Sequence, residues 1–260
     1  MRAITIAVLA SAVHVLASTD AAAQVLDTST FEAQASMLYE DLSGNRFGPF
    51  PPNRLGAYAT EDVNAFPTAA FNQDGFIARS SASIVGGYSP TTPGFVDPFH
   101  TVLADMHGEA FIDGTNLANH SRELSLGGAF IELWFSLDQE TEWSFEADFA
   151  GVSTPGFQNR AGINFQLATQ DFSEYFGYFD QGSYNGVGNF SFHGSASGTL
   201  QPGSYYMVVG AGAIVENTLG LGGTGSASAS VTNLVFTIPS PGTWPIMALL
   251  GVSVSDRRRR

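Results

Sequence analysis

Residues 129–149 read AFIELWFSLDQETEWSFEADF, two alternating runs separated by a polar break, and they decide the fold class. Ala129, Ile131, Leu133, Phe135 and Leu137 share one face of an extended chain, with Phe130, Glu132, Trp134 and Ser136 on the other. Beyond Asp138 to Glu142 the pattern resumes: Trp143, Phe145, Ala147 and Phe149 on one face, Ser144, Glu146 and Asp148 on the other. A period of two over both runs is that of strands with one buried face. Their short polar link predicts a β-hairpin, paired symmetrically about Glu140.

Outward from this stretch, further strands are expected at Ile163 to Ala168, Phe176 to Phe179, Phe190 to His193, Tyr205 to Val209 and Ser228 to Thr237. Pro202-Gly203 reads as the central pair of a type II turn. Phe31 to Leu42 satisfies neither period well and reads as a strand or a short helix, and Asn45 to Pro98 reads as loop with short strands such as Ala82 to Val85. The low-complexity run from Gly220 to Ser230 reads as a loop or edge region. The aromatic run Tyr175 to Phe179 reads as strand core. With 29 Gly, 12 Pro and only 13% charged residues among 260, the body is expected to be an all-β, jelly-roll-like antiparallel β-sandwich with long loops.

The chain has no Cys and no Lys, which excludes disulfides, thiolate metal sites, Schiff-base chemistry and a nucleotide-binding P-loop. A formal charge of -14 repels phosphate backbones, so no nucleic-acid partner is expected.

Carboxylates supply the candidate chemistry. The hairpin register would set Glu132 opposite Asp148 and Trp134 opposite Glu146 on the outward face. Such a pair could hold Ca²⁺, and Trp134 beside Glu146 could stack on a sugar ring. Glu146-Ala147-Asp148 resembles part of the Glu-x-Asp-x-x-Glu strand motif of jelly-roll glycoside hydrolases, but Gly151 stands where the second Glu would fall. A hydrolase would use Glu146 with Asp148 or Glu132, and the missing carboxylate counts against it. His100, Asp105, His107 and Glu109 form a second polar cluster, with Asp105, His107 and Glu109 on one side of a strand. His120 and His193 read as isolated surface or packing residues, and no nucleophile elbow is present. No catalytic residue and no cofactor other than Ca²⁺ is expected from these patterns.

The two ends read as addresses. Arg2, the apolar Ala3 to Ala17, and Ala21-Ala22-Ala23 before Gln24 make residues 1–23 a secretory signal peptide, cut by signal peptidase between Ala23 and Gln24. At the other end, residues 238–260 carry Pro239-Ser240-Pro241, the apolar Ile246 to Val254, and Arg257, Arg258, Arg259 and Arg260. Prolines end the preceding strand, the apolar stretch can enter lipid as a short helix, and the arginines resist translocation. This order resembles the PEP-CTERM sorting signal, with Ser240 in place of the family's usual Glu. The resemblance implies an exosortase-like membrane enzyme as partner, a membrane-anchored precursor, and a final place at the cell surface or outside it. Loss of both ends would leave residues 24–237 with a net charge of -17. The expectation is an exported surface or matrix protein with a non-catalytic body. The alternative is a carbohydrate-binding or Ca²⁺-supported lectin-like module meeting extracellular polysaccharide.

Overall fold

The computed structural model describes residues 24–41, 43–47, 53–58, 63–65, 68–73, 76–88, 101–114, 120–217 and 223–238. The signal peptide expected at residues 1–23, the sorting segment and short helix expected within 239–260, and His100 lie outside the described residues. Among the described residues no helix is long and apolar enough to cross a membrane.

Among the described residues fourteen strands follow one another: β1 (Gln24–Asp41), β2 (Arg46–Phe47), β3 (Asn53–Tyr58), β4 (Val63–Ala65), β5 (Thr68–Gln73), β6 (Phe76–Tyr88) and β7 (Thr101–Gly114). Then come β8 (His120–Leu137), β9 (Thr141–Ser153), β10 (Gln158–Thr169), β11 (Tyr175–Tyr184), β12 (Phe190–Leu200), β13 (Gly203–Asn217) and β14 (Gly223–Thr237). They form two seven-stranded antiparallel sheets packed face to face. Sheet A runs β11-β10-β13-β8-β1-β2 with β3 also on β1, and sheet B runs β12-β9-β14-β7-β6-β4 with β5 also on β6. The all-β sandwich expected from the alternations is the observed fold.

The inward faces of β8 and β9 are those the alternation gave: Ala129 to Leu137 and Trp143 to Phe149 are buried at every second position. The hairpin, however, does not form. β8 pairs with β1 and β13 in sheet A, while β9 pairs with β12 and β14 in sheet B, so residues 138–140 turn a corner between layers. Alternation fixes which face of a strand goes inward; it carries no information on whether the next strand stays in the same sheet.

The core is a wedge. Along β8 the inward residues grow from Ser125 and Gly127 through Ala129 and Ile131 to Leu133 and Phe135, and β14 grows from Gly225 through Ala227 and Ala229 to Val231, Leu234 and Phe236. At the thick end Phe145 stacks on Phe165 with ring centroids 3.7 Å apart, and Phe135 packs against Tyr205 and Phe236. At the thin end the sheets touch backbone to backbone. Ser125 of sheet A donates its hydroxyl to the Arg79 carbonyl of sheet B at 2.6 Å, and Ser80 of sheet B donates to the Ser36 carbonyl of sheet A at 3.1 Å.

The wedge explains one further departure from expectation and settles one open alternative. Gly223 to Ser230, expected as loop or edge, is the first half of β14, a central strand whose small inward residues fit the thin end. Phe31 to Asp41 is strand, because Ala33 and Ala35 are buried at that same end and blur the hydrophobic period. Within Asn45 to Pro98, β6 alone runs for 13 residues. The corner from β12 to β13 holds Pro202, but Gly203 does not take the positive φ that a type II turn requires. Instead the buried Tyr205 donates its hydroxyl to the Gln201 carbonyl, a tyrosine corner that ties the strand start to the bend before it.

Candidate functional site

The corner after β8 disperses the expected carboxylate site. Glu132 and Trp134 stand on the outer face of sheet A, and Glu146 and Asp148 on the outer face of sheet B. Packed sheets lie about 10 Å apart, so Glu132 and Asp148 are separated by more than the full core thickness. They cannot share a Ca²⁺ ion bound at ~2.5 Å or act as a hydrolytic pair ~5 Å apart.

Asp148, Glu132 and Trp134 each have local partners. Asp148 accepts hydrogen bonds from the Asn233 side-chain amide at 2.8 Å and meets His193 Nδ1 at 3.0 Å. These contacts, Asn233 first, hold its carboxyl below the usual carboxylate range, the direction of a standing anion rather than a proton donor. His193 is thus exposed but partnered. Asp105 accepts from the Asn233 amide N–H at 2.7 Å, where Asn233 sits at φ 52 in a bulge of β14. His107 Nε2 lies 3.0 Å from Glu109, which also accepts from Ser81. Asp105, His107 and Glu109 do share the outer face of sheet B, but among the described residues no three His, Asp or Glu converge on one point as a metal would require.

Trp134 is not an open platform. Its indole N–H donates to Glu132 at 3.2 Å, its ring lies 4.5 Å from that of Tyr206, and Phe172 meets its edge at 6.4 Å. Burial and the neighbouring Glu132 carboxylate push the Tyr206 hydroxyl up to about 12. Phe172 is held there at φ 57, unfavourable for a bulky residue, by a bracket on Asp171. That carboxylate accepts from the Thr169 hydroxyl at 2.7 Å and from the Ser173 hydroxyl and amide at 2.7 and 3.1 Å.

These hydrogen bonds bring Asp171 down from 3.8 to about 2, with Thr169 the largest cause. Because the folded value is depressed, the contribution is complete above the ordinary value and is lost as pH falls through about 2. We therefore expect the tryptophan fluorescence of the Trp134 environment to change between these pH values. Asp171→Asn should abolish that transition; an unaltered acid titration in this variant would assign it elsewhere.

A well-formed concavity of the described residues lies elsewhere on sheet A. Gly182, Gly162, Gly212 and Gly128 stand directly opposite one another on β11, β10, β13 and β8. This row without side chains floors a groove of about 670 Å³ running across the strands. Tyr184, Arg160, Ile214 and Leu126 form one wall; Asp180, Asn164 and Phe130 form the other, and Gln34 on β1 extends the floor. The walls are four residues apart along each strand, so about 13 Å, and the floor crosses four strands, so about 15 Å. The Arg160 guanidinium lies over the Tyr184 ring at 5.4 Å, and Tyr178 donates its hydroxyl to Asp180 at 3.1 Å.

Packing does not require three of these glycines, whereas at Gly128 a Cβ would press on the Ala211 carbonyl oxygen at 3.2 Å. A Cβ at Gly212 would meet nothing within 4 Å, and at Gly162 or Gly182 nothing nearer than 3.7 or 3.6 Å. At Gly127 it would stand 2.2 Å from the Ser81 carbonyl oxygen, so that glycine serves the thin end of the wedge. The aromatic run of β11 divides likewise: Phe176 and Phe179 pack on the core, while Tyr175 and Tyr178 are more than half exposed beside the groove. In sequence each groove glycine looks like a weak spot in its own strand. Only the pairing of four strands shows that they are one feature.

No family model matches the chain, and no curated protein matches it in sequence. Among solved structures, it is similar to the enzymatically active domain of tailspike protein 4 of bacteriophage CBA120, at 11% identity and TM-score 0.21 over 64% of this chain and 20% of that one. It is also similar to a structure from work on carbohydrate-binding modules of the β-sandwich superfamily, at 10% identity and TM-score 0.21 over 84% of this chain and 98% of that one. A third is the infectious bursal disease virus Gx strain structure, at 10% identity and TM-score 0.26 over 86% and 58%. The chain thus spans a fifth of the tailspike domain's length, and scores this low do not place it among these proteins.

Proposed function

We propose that this is an exported, non-catalytic adhesive protein whose sandwich binds a neutral, extended polysaccharide along the glycine-floored groove of sheet A. The observation that carries this reading is the aligned row Gly182, Gly162, Gly212 and Gly128, of which the first three are kept open where the fold would accept side chains. A polymer laid across the strands meets bare backbone below, Tyr184 for a sugar ring face, and Asn164, Gln34, Asp180 and Arg160 for hydroxyl groups. The net charge of -14 disfavours acidic polymers, hence a neutral one. Export and exosortase-like sorting rest on the two ends of the sequence, with Ala23, Gln24, Pro239, Ser240, Pro241 and the four terminal arginines as the processing features.

Affinity electrophoresis of the full chain in gels holding neutral or acidic polysaccharides tests the binding. Retardation is expected in neutral gels alone, and Tyr184→Ala should remove about 0.5–1.5 kcal/mol of stacking, roughly two- to tenfold in Kd. Free migration in every neutral gel would end the proposal. Intact-mass measurement of membrane and extracellular fractions tests the address: loss of residues before Gln24 and after about Pro241 is expected, and full-length protein in the cytoplasm would overturn it.

A further inference from the structure

We infer that the lateral edge formed by β11 and β12 is a self-association surface, on which a second copy of this chain continues the sandwich. In sheet A β11 pairs only with β10, and in sheet B β12 pairs only with β9, so among the described residues both strands end their sheets on the same side of the sandwich. They are 10 and 11 residues long. The opposite side ends in the short strands β2, β3, β4 and β5, the usual way of blunting an edge. Long open edges leave backbone N–H and C=O groups without ladder partners.

One further observation among the described residues points to a partner there. The half-buried hydrophobic residues that pack on the core are Phe176, Phe179, Phe190, Phe192 and Ala196, and all five lie on β11 or β12. The core is therefore incompletely covered along this edge.

Charge and area favour a second copy of this chain over an unrelated strand. β11 and β12 together carry one acidic residue, Asp180, and one histidine, His193, in a chain of net charge -14. With so few charges on these strands, two copies meet here with little like-charge repulsion. A two-fold axis normal to the sheets sets each edge strand antiparallel to its own copy, which makes an isologous contact. Strands of this length on a sandwich about 20 Å thick would bury roughly 700 Å² a side, close to the ~800 Å² of a stable interface. The contact is confined to Tyr175 to Gly182 on β11, because Val187 folds back on Tyr184 through Asn185 and Gly186, both at positive φ, and caps the rest.

Sedimentation of the full chain should give twice the monomer mass, more completely at high salt, where screening weakens the residual repulsion. Ala196→Lys, an inward-pointing charge on the edge, should return it to monomer at the same concentration. Because the chain has no cysteine, single substitutions Ser191→Cys, Ser195→Cys and Ser197→Cys report the contact without disturbing the core. Under mild oxidation at least one should form a covalent dimer. Ser144→Cys, one strand inward and paired with Ser197, should not. A monomer at every concentration, or a dimer indifferent to Ala196→Lys and equally cross-linked through Ser144, would overturn the inference; the latter would place association at another surface or at the chain ends.

Discussion

Gly127→Ala is expected to destabilise the protein by about 3 kcal/mol or more, a large share of the ~5–15 kcal/mol that holds a domain folded. The added Cβ would lie 2.2 Å from the Ser81 carbonyl oxygen and 2.3 Å from that of Glu109, both backbone atoms of sheet B. Neither can step aside, since β6 and β7 are held on both flanks by ladders. Relief requires the sheets to separate at the thin end, which would also break the Ser125 hydroxyl bond to Arg79 and the Ser80 bond to Ser36. Each is worth about 1 kcal/mol. Gly162→Ala tests the same chemical change where space exists, and should be neutral or stabilising by about 0.5–1 kcal/mol. Urea unfolding of the two variants reads the difference directly; equal midpoints would mean that the sheets do not meet at Gly127.

The same contrast shows what a single sequence discloses. The inward sets of β8 and β9 were legible because large apolar residues alternate there without interruption. Where the wedge thins, the inward residues are Gly, Ala and Ser, and their alternation with outward Ser in β14 carries almost no hydropathy contrast. Such a strand therefore looks like low complexity. Strand pairing was not legible at all: Glu132 and Asp148 have the spacing of hairpin neighbours, yet the corner at residues 138–140 sends them to opposite faces. The groove was hidden for the same reason, since Gly128, Gly162, Gly182 and Gly212 are distant in sequence and become one floor only through the registers of β8, β10, β11 and β13. Asn185-Gly186 was the local signal that could have placed the end of β11, because Asn-Gly favours the positive φ at both positions that the structure holds.

Gly212→Leu is expected to abolish polysaccharide binding while leaving the fold intact. Gly212 is the residue of the floor where an added Cβ meets nothing within 4 Å, so a leucine side chain has only the groove to enter. Loss of strand-interior glycine favours folding by about 0.5–1 kcal/mol, and the thermal midpoint should hold or rise. Binding should behave in the opposite sense. A polymer lying across the strands would collide with the leucine midway between Gly162 and Gly128, and a glycan cannot detour around it without leaving Tyr184 on one wall or Phe130 on the other. Affinity electrophoresis of this variant should therefore show free migration in a gel that retards the native chain, with circular dichroism unchanged. Retained binding would move the site off the glycine row, to the exposed Tyr175 and Tyr178 beside it. Loss of both binding and fold would show instead that the row is structural. A variant that is at least as stable and no longer binds leaves one reason for glycine at positions 162, 182 and 212, where packing asks for none: the space above them is used.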